Sequence, residues 1–239
     1  MSHRLTRKDM KRDELRESLG TAVDFLRDHG RKIVAGIVAL LILVAIAAGY
    51  REYQQRREIT AAEELAEALR IYQAPVVPGG ATPPDSDQPT FATEEARAAA
   101  ALEMFDQVRS DHAGTDAADI AKVYRAELAT QGGELALARE LWEEFLERQK
   151  DNMLAAEVQL NLMSLDRLEG RGDELIIRLN SMLDSPQRNS LPADVLLNQL
   201  AITLEDSGRE EEARRAYRRI IDEFPTSPYV DGARARAES

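Results

Sequence analysis

The sequence predicts an all-α protein in which one membrane-spanning helix precedes an α-solenoid of stacked helical hairpins. Three observations predict this class. Hydrophobic residues make up 44% of the 239 residues and aromatic residues only 5%, and Ala, Leu, Glu and Arg, which favour helices, are abundant. One apolar run near the N-terminus is free of charge. From residue 93 onward, short breaks separate segments of helical length.

Residues 1–32 form a charged tail with nine Lys or Arg and six Asp or Glu side chains. Within it, apolar residues recur every three or four positions from Leu15 to Leu26. This spacing predicts a short helix, with Gly30 as its expected end. The tail is interpreted either as a determinant of membrane topology or as a helix that lies on anionic lipid or binds a partner.

Residues 33–50 are predicted to form a transmembrane helix. The run contains neither a charge nor a proline, and as a helix it would extend about 27 Å, close to the hydrocarbon thickness of a bilayer. Arg31 and Lys32 precede it, and Tyr50 and Arg51 follow it as interfacial anchors. A cleaved signal peptide is the alternative, but the charged leader is too long and the apolar run exceeds the usual length of about 7–15 residues.

The orientation of this helix is predicted from positive charges. Residues 13–32 and 51–70 carry four Lys or Arg each, so the flanks do not decide. If the N-terminus lay outside, all nine positive charges of residues 1–32 would have to cross, whereas long domains translocate largely regardless of charge. We therefore expect the N-terminus in the cytoplasm and the C-terminal domain on the other side of the membrane.

The part of the chain after the span is strongly acidic. The whole chain has a net charge of −12 and residues 1–32 have +3, so residues 51–239 carry −15. Such a domain would be repelled by phosphate backbones, which excludes nucleic acid as an expected partner. The chain has no cysteine, which excludes thiol chemistry, zinc–thiolate sites and disulfides.

Three segments follow the span. Residues 51–72 are expected to form a membrane-proximal helix that ends before Pro75. Residues 73–92 hold five of the nine prolines and are predicted to be a loop. Residues 93–239 are predicted to be the solenoid, because breaks recur at short intervals from Gly114 to Pro228.

Residues 194–227 carry a recognisable repeat pattern, and their length of 34 residues equals the tetratricopeptide-repeat (TPR) period. The matching positions are Leu197, Leu200, Ala201 and Leu204 on the first helix, Gly208 at the turn, Ala213, Tyr217 and Ile220 on the second helix, and Pro225 after it. Ile220 is the one departure, since the pattern favours alanine there. The unit resembles a TPR hairpin.

Three further units resemble the pattern less closely. The first is defined by Ala101, Phe105 and Val108, with residues 59–72 as its first helix; the second by Tyr124, Ala126, Leu128, Gly133, Ala138, Trp142 and Phe145. The third, residues 156–184, has a hairpin pattern around Gly170 and Gly172, but Ile177 stands where a small residue is expected. The resemblance implies a TPR-like α-solenoid of about four degenerate hairpins plus a capping helix.

The C-terminus carries a second resemblance. The run from Pro225 to Tyr229, followed by Ala233 and Ala235, is similar to the endings of bacterial envelope TPR proteins, with a capping helix over 229–238. The order of tail, span and solenoid resembles the YfgM-like ancillary subunits of the Sec translocon. That resemblance implies a single-pass protein of the cell inner membrane, with its C-terminal domain in the periplasm. It also implies the Sec translocon, periplasmic chaperones or exported clients as partners.

No residue pattern predicts catalysis, a cofactor or a metal site. His3, His29 and His112 are not at ligand spacing from one another. Ser110, Asp111 and His112 are triad residue types, but adjacency in sequence is not triad geometry. We therefore expect no enzyme.

The predicted partner-binding residues are Val195, Asn198, Ile202 and Glu205, which form the exposed stripe on the first helix of the clearest unit. Ile202 and Glu205 do not suit a carboxylate clamp, so a groove for an apolar or mildly basic segment is favoured. Alternatively, a neighbouring helix covers this stripe.

Two functions remain open from the sequence. The first is a membrane-anchored scaffold or adaptor for protein–protein interactions in the bacterial envelope, at the export machinery. The alternative is a structural assembly protein that forms a homo-oligomer or joins a division or outer-membrane assembly complex.

Overall fold

The computed structural model describes residues 7–77, 89–185 and 191–238, with side chains from Gly30 onward except at position 33. These ranges contain nine α-helices and no strand beyond one isolated bridge. The helices are α1 (Arg7–Tyr72), α2 (Glu94–Asp111), α3 (Asp116–Gln131), α4 (Leu135–Arg148), α5 (Ala155–Leu168), α6 (Gly172–Leu183), α7 (Ala193–Asp206), α8 (Glu210–Glu223) and α9 (Val230–Ala237). The all-α class is confirmed.

The chain divides into two compact units, Met1–Ile59 and Thr60–Ser239. In the first unit, α1 runs through Gly30 without a break, so the expected helix end at that residue is wrong. A glycine inside a helix costs only about 1 kcal/mol relative to alanine. One such residue does not end a helix when helix-forming residues and no proline flank it.

Within the first unit, α1 is long and apolar enough to cross a membrane, by its length and composition. The side chains from Val34 to Tyr50 are all exposed, and Leu43, for example, is 63% exposed. No part of the described chain covers this apolar run. An uncovered stretch of this kind is compatible with a lipid-facing segment.

The second unit consists of four helical hairpins and a final helix. The C-terminal part of α1 shares a core with α2 and α3, and this core is centred on Phe105 and Ala121. A second core joins α3, α4 and α5 around Trp142 and Phe145. A third core contains residues of all five helices from α5 through α9 and lies around Leu197 and Tyr217. Four hairpins with a capping helix are therefore confirmed, and Trp142 is a core residue with only 3% exposure.

The second helices of the four hairpins share one register. Equivalent positions, spaced by four and then three residues, are Ala101, Phe105 and Val108; Ala138, Trp142 and Phe145; Leu175, Leu179 and Met182; and Ala213, Tyr217 and Ile220. The first members recur after 37, 37 and 38 residues. The recurrence exceeds the 34-residue period, and connections of six residues between α4 and α5 and nine residues between α6 and α7 contribute to the excess.

This register corrects one detail of the repeat assignment and extends another. Ile177 is 72% exposed and the small-residue position of its hairpin is Leu175, which is fully buried. Ile220 departs from the alanine of the family pattern, and its counterparts in this chain depart from it in the same way. Its counterparts are large in every hairpin of this chain, and its own side chain is fully buried.

The turn inside each of the last three hairpins has one geometry. At the end of α7, Gly208 has φ 71°, its N–H donates to the carbonyl of Glu205 (2.9 Å), and the N–H of Arg209 donates to that of Leu204 (2.8 Å). These two bonds satisfy terminal helix carbonyls and require a left-handed residue, which favours glycine. The same pair of bonds ends α3 and α5.

The proline-rich loop lies mostly outside the described residues, but its base is described. The N–H of Val77 donates to the carbonyl of Phe91 (2.8 Å), and the N–H of Phe91 donates to that of Pro75 (3.2 Å). The two ends of the insertion are therefore held together beside the end of α1.

Candidate functional site

The predicted binding stripe lies on α7. Val195, Asn198, Ile202 and Glu205 are all half-buried, whereas the opposite face of the helix is buried in the core. The four side chains therefore share the face of α7 that the hairpin leaves partly accessible, as their spacing predicts. Their role in binding stays a prediction.

Glu205 has a second role that the sequence did not indicate. The hydroxyl of Tyr217 donates to Glu205 Oε2 (2.8 Å) and accepts from Arg236 Nη1 of α9 (2.9 Å). The guanidinium of Arg236 also lies 5.7 Å from the centre of the Tyr217 ring. Burial, followed by the bond to Glu205, raises the pKa of Tyr217 to about 12. Glu205 thus helps to attach the capping helix to the last hairpin.

A second polar network holds the middle hairpins together. The side chain of Asp166 on α5 is only 5% exposed, and its oxygens accept from Arg139 of α4 (2.7 Å), Arg171 (2.8 Å) and Arg178 of α6. Glu169 shares Arg139 at 3.0 Å. A buried carboxylate bound by several guanidiniums links α4, α5 and α6 through charge-assisted hydrogen bonds.

Sequence reasoning missed Asp166, although one signal could have found it. The residue stands four positions before Gly170, and the equivalent position before Gly208 is the buried Leu204. A carboxylate at a core position of a repeat requires a cationic partner. Its arginines come from α4, from α6 and from the turn before α6, so only the structure identifies them.

An aromatic cluster joins the end of α1 to α2 and α3. Tyr72 packs edge-on against Phe105 and Tyr124 at 5.9 Å and 5.4 Å, and Phe105 stacks on Tyr124 at 5.4 Å. The hydroxyl of Tyr72 donates to Glu127 Oε2 (2.9 Å). Burial, followed by this bond, raises the pKa of Tyr72 to about 12. Burial also raises the pKa of Glu127, and the charge of Glu157 on α5 adds to that rise.

Beside this cluster, the end of α1, the start of α2 and the end of α3 enclose a cleft of about 450 Å³, here called the edge cleft. Its apolar lining includes Tyr72, Ala98, Leu102 and Leu128, and its charged lining is Glu94, Glu95, Glu134 and Arg97. Arg97 is engaged by Glu94 and by the carbonyl of Ala74 (3.3 Å). The cleft therefore combines an apolar floor with a mainly acidic rim.

The residues that could suggest chemistry have structural contacts. His112 Nε2 lies 2.9 Å from Glu64 Oε2, which joins the end of α2 to α1. Ser110 Oγ bonds to the carbonyl of Gln107 and to Asp111, both at 3.0 Å, at the exposed end of α2. Within the described ranges, no three His, Asp or Glu side chains are grouped to hold a metal ion.

The family model described as "Tetratricopeptide repeat-like domain" matches residues 24–233, which include all four hairpins. No curated protein matches the chain.

Proposed function

Because the chain belongs to the family of tetratricopeptide repeat-like domains, we propose that it is a membrane-anchored adaptor that binds other proteins. Repeats of this family form extended surfaces for protein–protein interaction. The observation that carries the proposal is the order of elements in one chain. A helix apolar enough to cross a membrane comes first, and a four-hairpin solenoid follows.

The anchor is proposed to be residues 33–50, with the tail 1–32 in the cytoplasm and the solenoid in the periplasm of a bacterial cell. The positive charges of the tail support this orientation. The layout resembles that of the YfgM-like ancillary subunits of the Sec translocon. We accordingly propose that the partners are translocon subunits, periplasmic chaperones or exported clients.

The chemistry of the solenoid supports interaction in preference to catalysis. Its buried carboxylates, Asp119 and Asp166, are each held by arginines, at 2.7 Å from Arg148 and Arg139 respectively. Groups paired in this way connect neighbouring helices through charge-assisted hydrogen bonds. The accessible face of α7, with Val195, Asn198 and Ile202, is the proposed contact surface.

Two experiments test the proposal. A reporter active only outside the cytoplasm, fused to the C-terminus, should be active, while a matched cytoplasmic reporter should be silent. Affinity purification of the full chain from detergent-solubilised bacterial membranes should recover a translocon component or an exported protein. Activity of the cytoplasmic reporter alone, or recovery of the chain without any protein partner, would overturn the envelope-adaptor function.

A further inference from the structure

We propose that the edge cleft binds a polypeptide segment that presents a lysine or arginine next to an apolar side chain. This inference rests on the proposed function, because it assumes that the solenoid binds proteins. It adds a second contact surface, at the hairpin edge formed by α1, α2 and α3, and it states the chemistry of the ligand. The predicted stripe on α7 is a separate surface.

The shape and floor of the cleft suit an apolar side chain. Its volume of about 450 Å³ falls within the range of small binding pockets. Leu102 is half-buried, and Leu128 is 7% exposed, so the floor is already fixed by the core around Phe105. The hydroxyl of Tyr72 is engaged by Glu127, which fixes the orientation of its ring in the cleft wall. A preformed floor of this kind needs little reorganisation to bind.

The charges around the cleft select the partner. Glu95 is exposed and takes part in no ion pair among the described residues, and Glu134 faces only Arg125, at 3.8 Å. Arg97, the cation in the lining, is neutralised by Glu94. The described residues of the surrounding segment, 60–77 and 89–135, carry twelve Asp or Glu and five Lys or Arg side chains. A basic segment is therefore attracted to this end of the domain, and an acidic one is repelled.

The same arrangement disfavours a clamp for a C-terminal carboxylate. Such a clamp combines several cationic and amide donors, whereas here Arg97 already donates to Glu94 and to the carbonyl of Ala74, and Gln131 supplies one amide side chain. A carboxylate in the cleft would also face Glu95 and Glu134. The occupant is thus a basic and apolar internal segment of a protein, and its cation lies at the rim.

The test uses the full chain in detergent micelles and fluorescein-labelled peptides about 12 residues long. The probe alternates leucine with arginine, and two matched peptides replace arginine with glutamate or leucine with serine. Wild-type protein should bind the leucine–arginine peptide and neither of the others. Binding should weaken as salt is added, because the contact at the rim is electrostatic.

Two variants address the cleft without removing core atoms. Glu95→Lys reverses a rim charge, and we expect the dissociation constant to rise about fivefold. Ala99→Trp introduces a large side chain at an exposed position of the lining and should abolish binding by filling the cleft. Glu103→Lys is the matched control, because Glu103 is exposed on the same helix but does not line the cleft. Helical content and thermal midpoint establish that each variant is folded.

The inference is overturned if Ala99→Trp binds the leucine–arginine peptide as well as wild type does. It is also overturned if Glu103→Lys weakens binding as much as Glu95→Lys, since the attraction would then be general to the acidic surface. These outcomes differ from failure of the adaptor function. If the adaptor function fails, affinity purification of the full chain from membranes recovers no protein partner, whether or not the leucine–arginine peptide binds.

Discussion

Replacing Asp166 with asparagine should destabilise the solenoid, because it removes the charge that holds three arginines between α4, α5 and α6. The side chain of Asp166 is 5% exposed, while those of Arg139, Arg171 and Arg178 are 20%, 37% and 51% exposed. Breaking a fully buried ion pair costs about 3–5 kcal/mol. Here the guanidiniums reach water and Glu169 remains as a partner, so we expect about 2 kcal/mol.

Urea unfolding of the full chain in detergent measures this loss. Trp142 is the one tryptophan in the chain and lies one turn after Arg139 on α4, so its fluorescence reports on the affected hairpins. The thermal midpoint should fall by roughly 4–8 °C for a domain of this size. Asp231→Asn is the control, because that side chain is 97% exposed. A loss below about 0.5 kcal/mol for Asp166→Asn, or equal losses in both variants, would refute the structural role of the network.

Three further predictions follow from the packing. Gly208→Ala should lower the free energy of unfolding by about 1 kcal/mol, because the φ of 71° at this position strains any residue with a Cβ. Gly208→Asn should lower it by less, because asparagine tolerates this conformation better. Equal unfolding midpoints for the wild type and both variants would contradict this. Tyr217→Phe should remove the link between Glu205 and Arg236, so hydrogen exchange of the α9 amides should become faster while exchange in α4 stays unchanged. Exchange in α9 as slow as in the wild type would contradict this. The pKa of Tyr72 and of Tyr217 is raised to about 12, so both hydroxyls stay neutral up to a higher pH in the folded state than in the unfolded state. Their contribution to stability is therefore present below pH 10 and is lost as pH rises through 12. An ultraviolet titration in which all tyrosines ionise near pH 10 would contradict this.

Much of the fold follows from local signals in the sequence. Gly208 and Pro225 bound α8, and the spacing of Ala213, Tyr217 and Ile220 marks its buried face. Those signals are visible because each acts within one or two helical turns. The helix end expected at Gly30 is wrong because it also rests on a local signal. A lone glycine favours a helix end locally, but the long run of helix formers on both sides outweighs it.

The candidate surfaces are harder to predict from the sequence than the helices are. The face of α7 follows from helical periodicity, so Val195, Asn198 and Ile202 could be assigned to it without a structure. The link from Glu205 to α9 and the three arginines around Asp166 depend on contacts between separate helices. The edge cleft brings together the ends of three helices. No local pattern reports these distances, because they depend on how the hairpins pack.

The most direct test of the adaptor function is photo-crosslinking in living cells from a residue on the proposed contact surface. A photoreactive amino acid at Asn198, which is half-buried on α7, is compared with one at Glu174, which is exposed on α6. We expect specific crosslinks to a translocon subunit, a periplasmic chaperone or an exported protein from position 198 and none from position 174. Identical crosslinks from both positions, or none from position 198, would contradict the account.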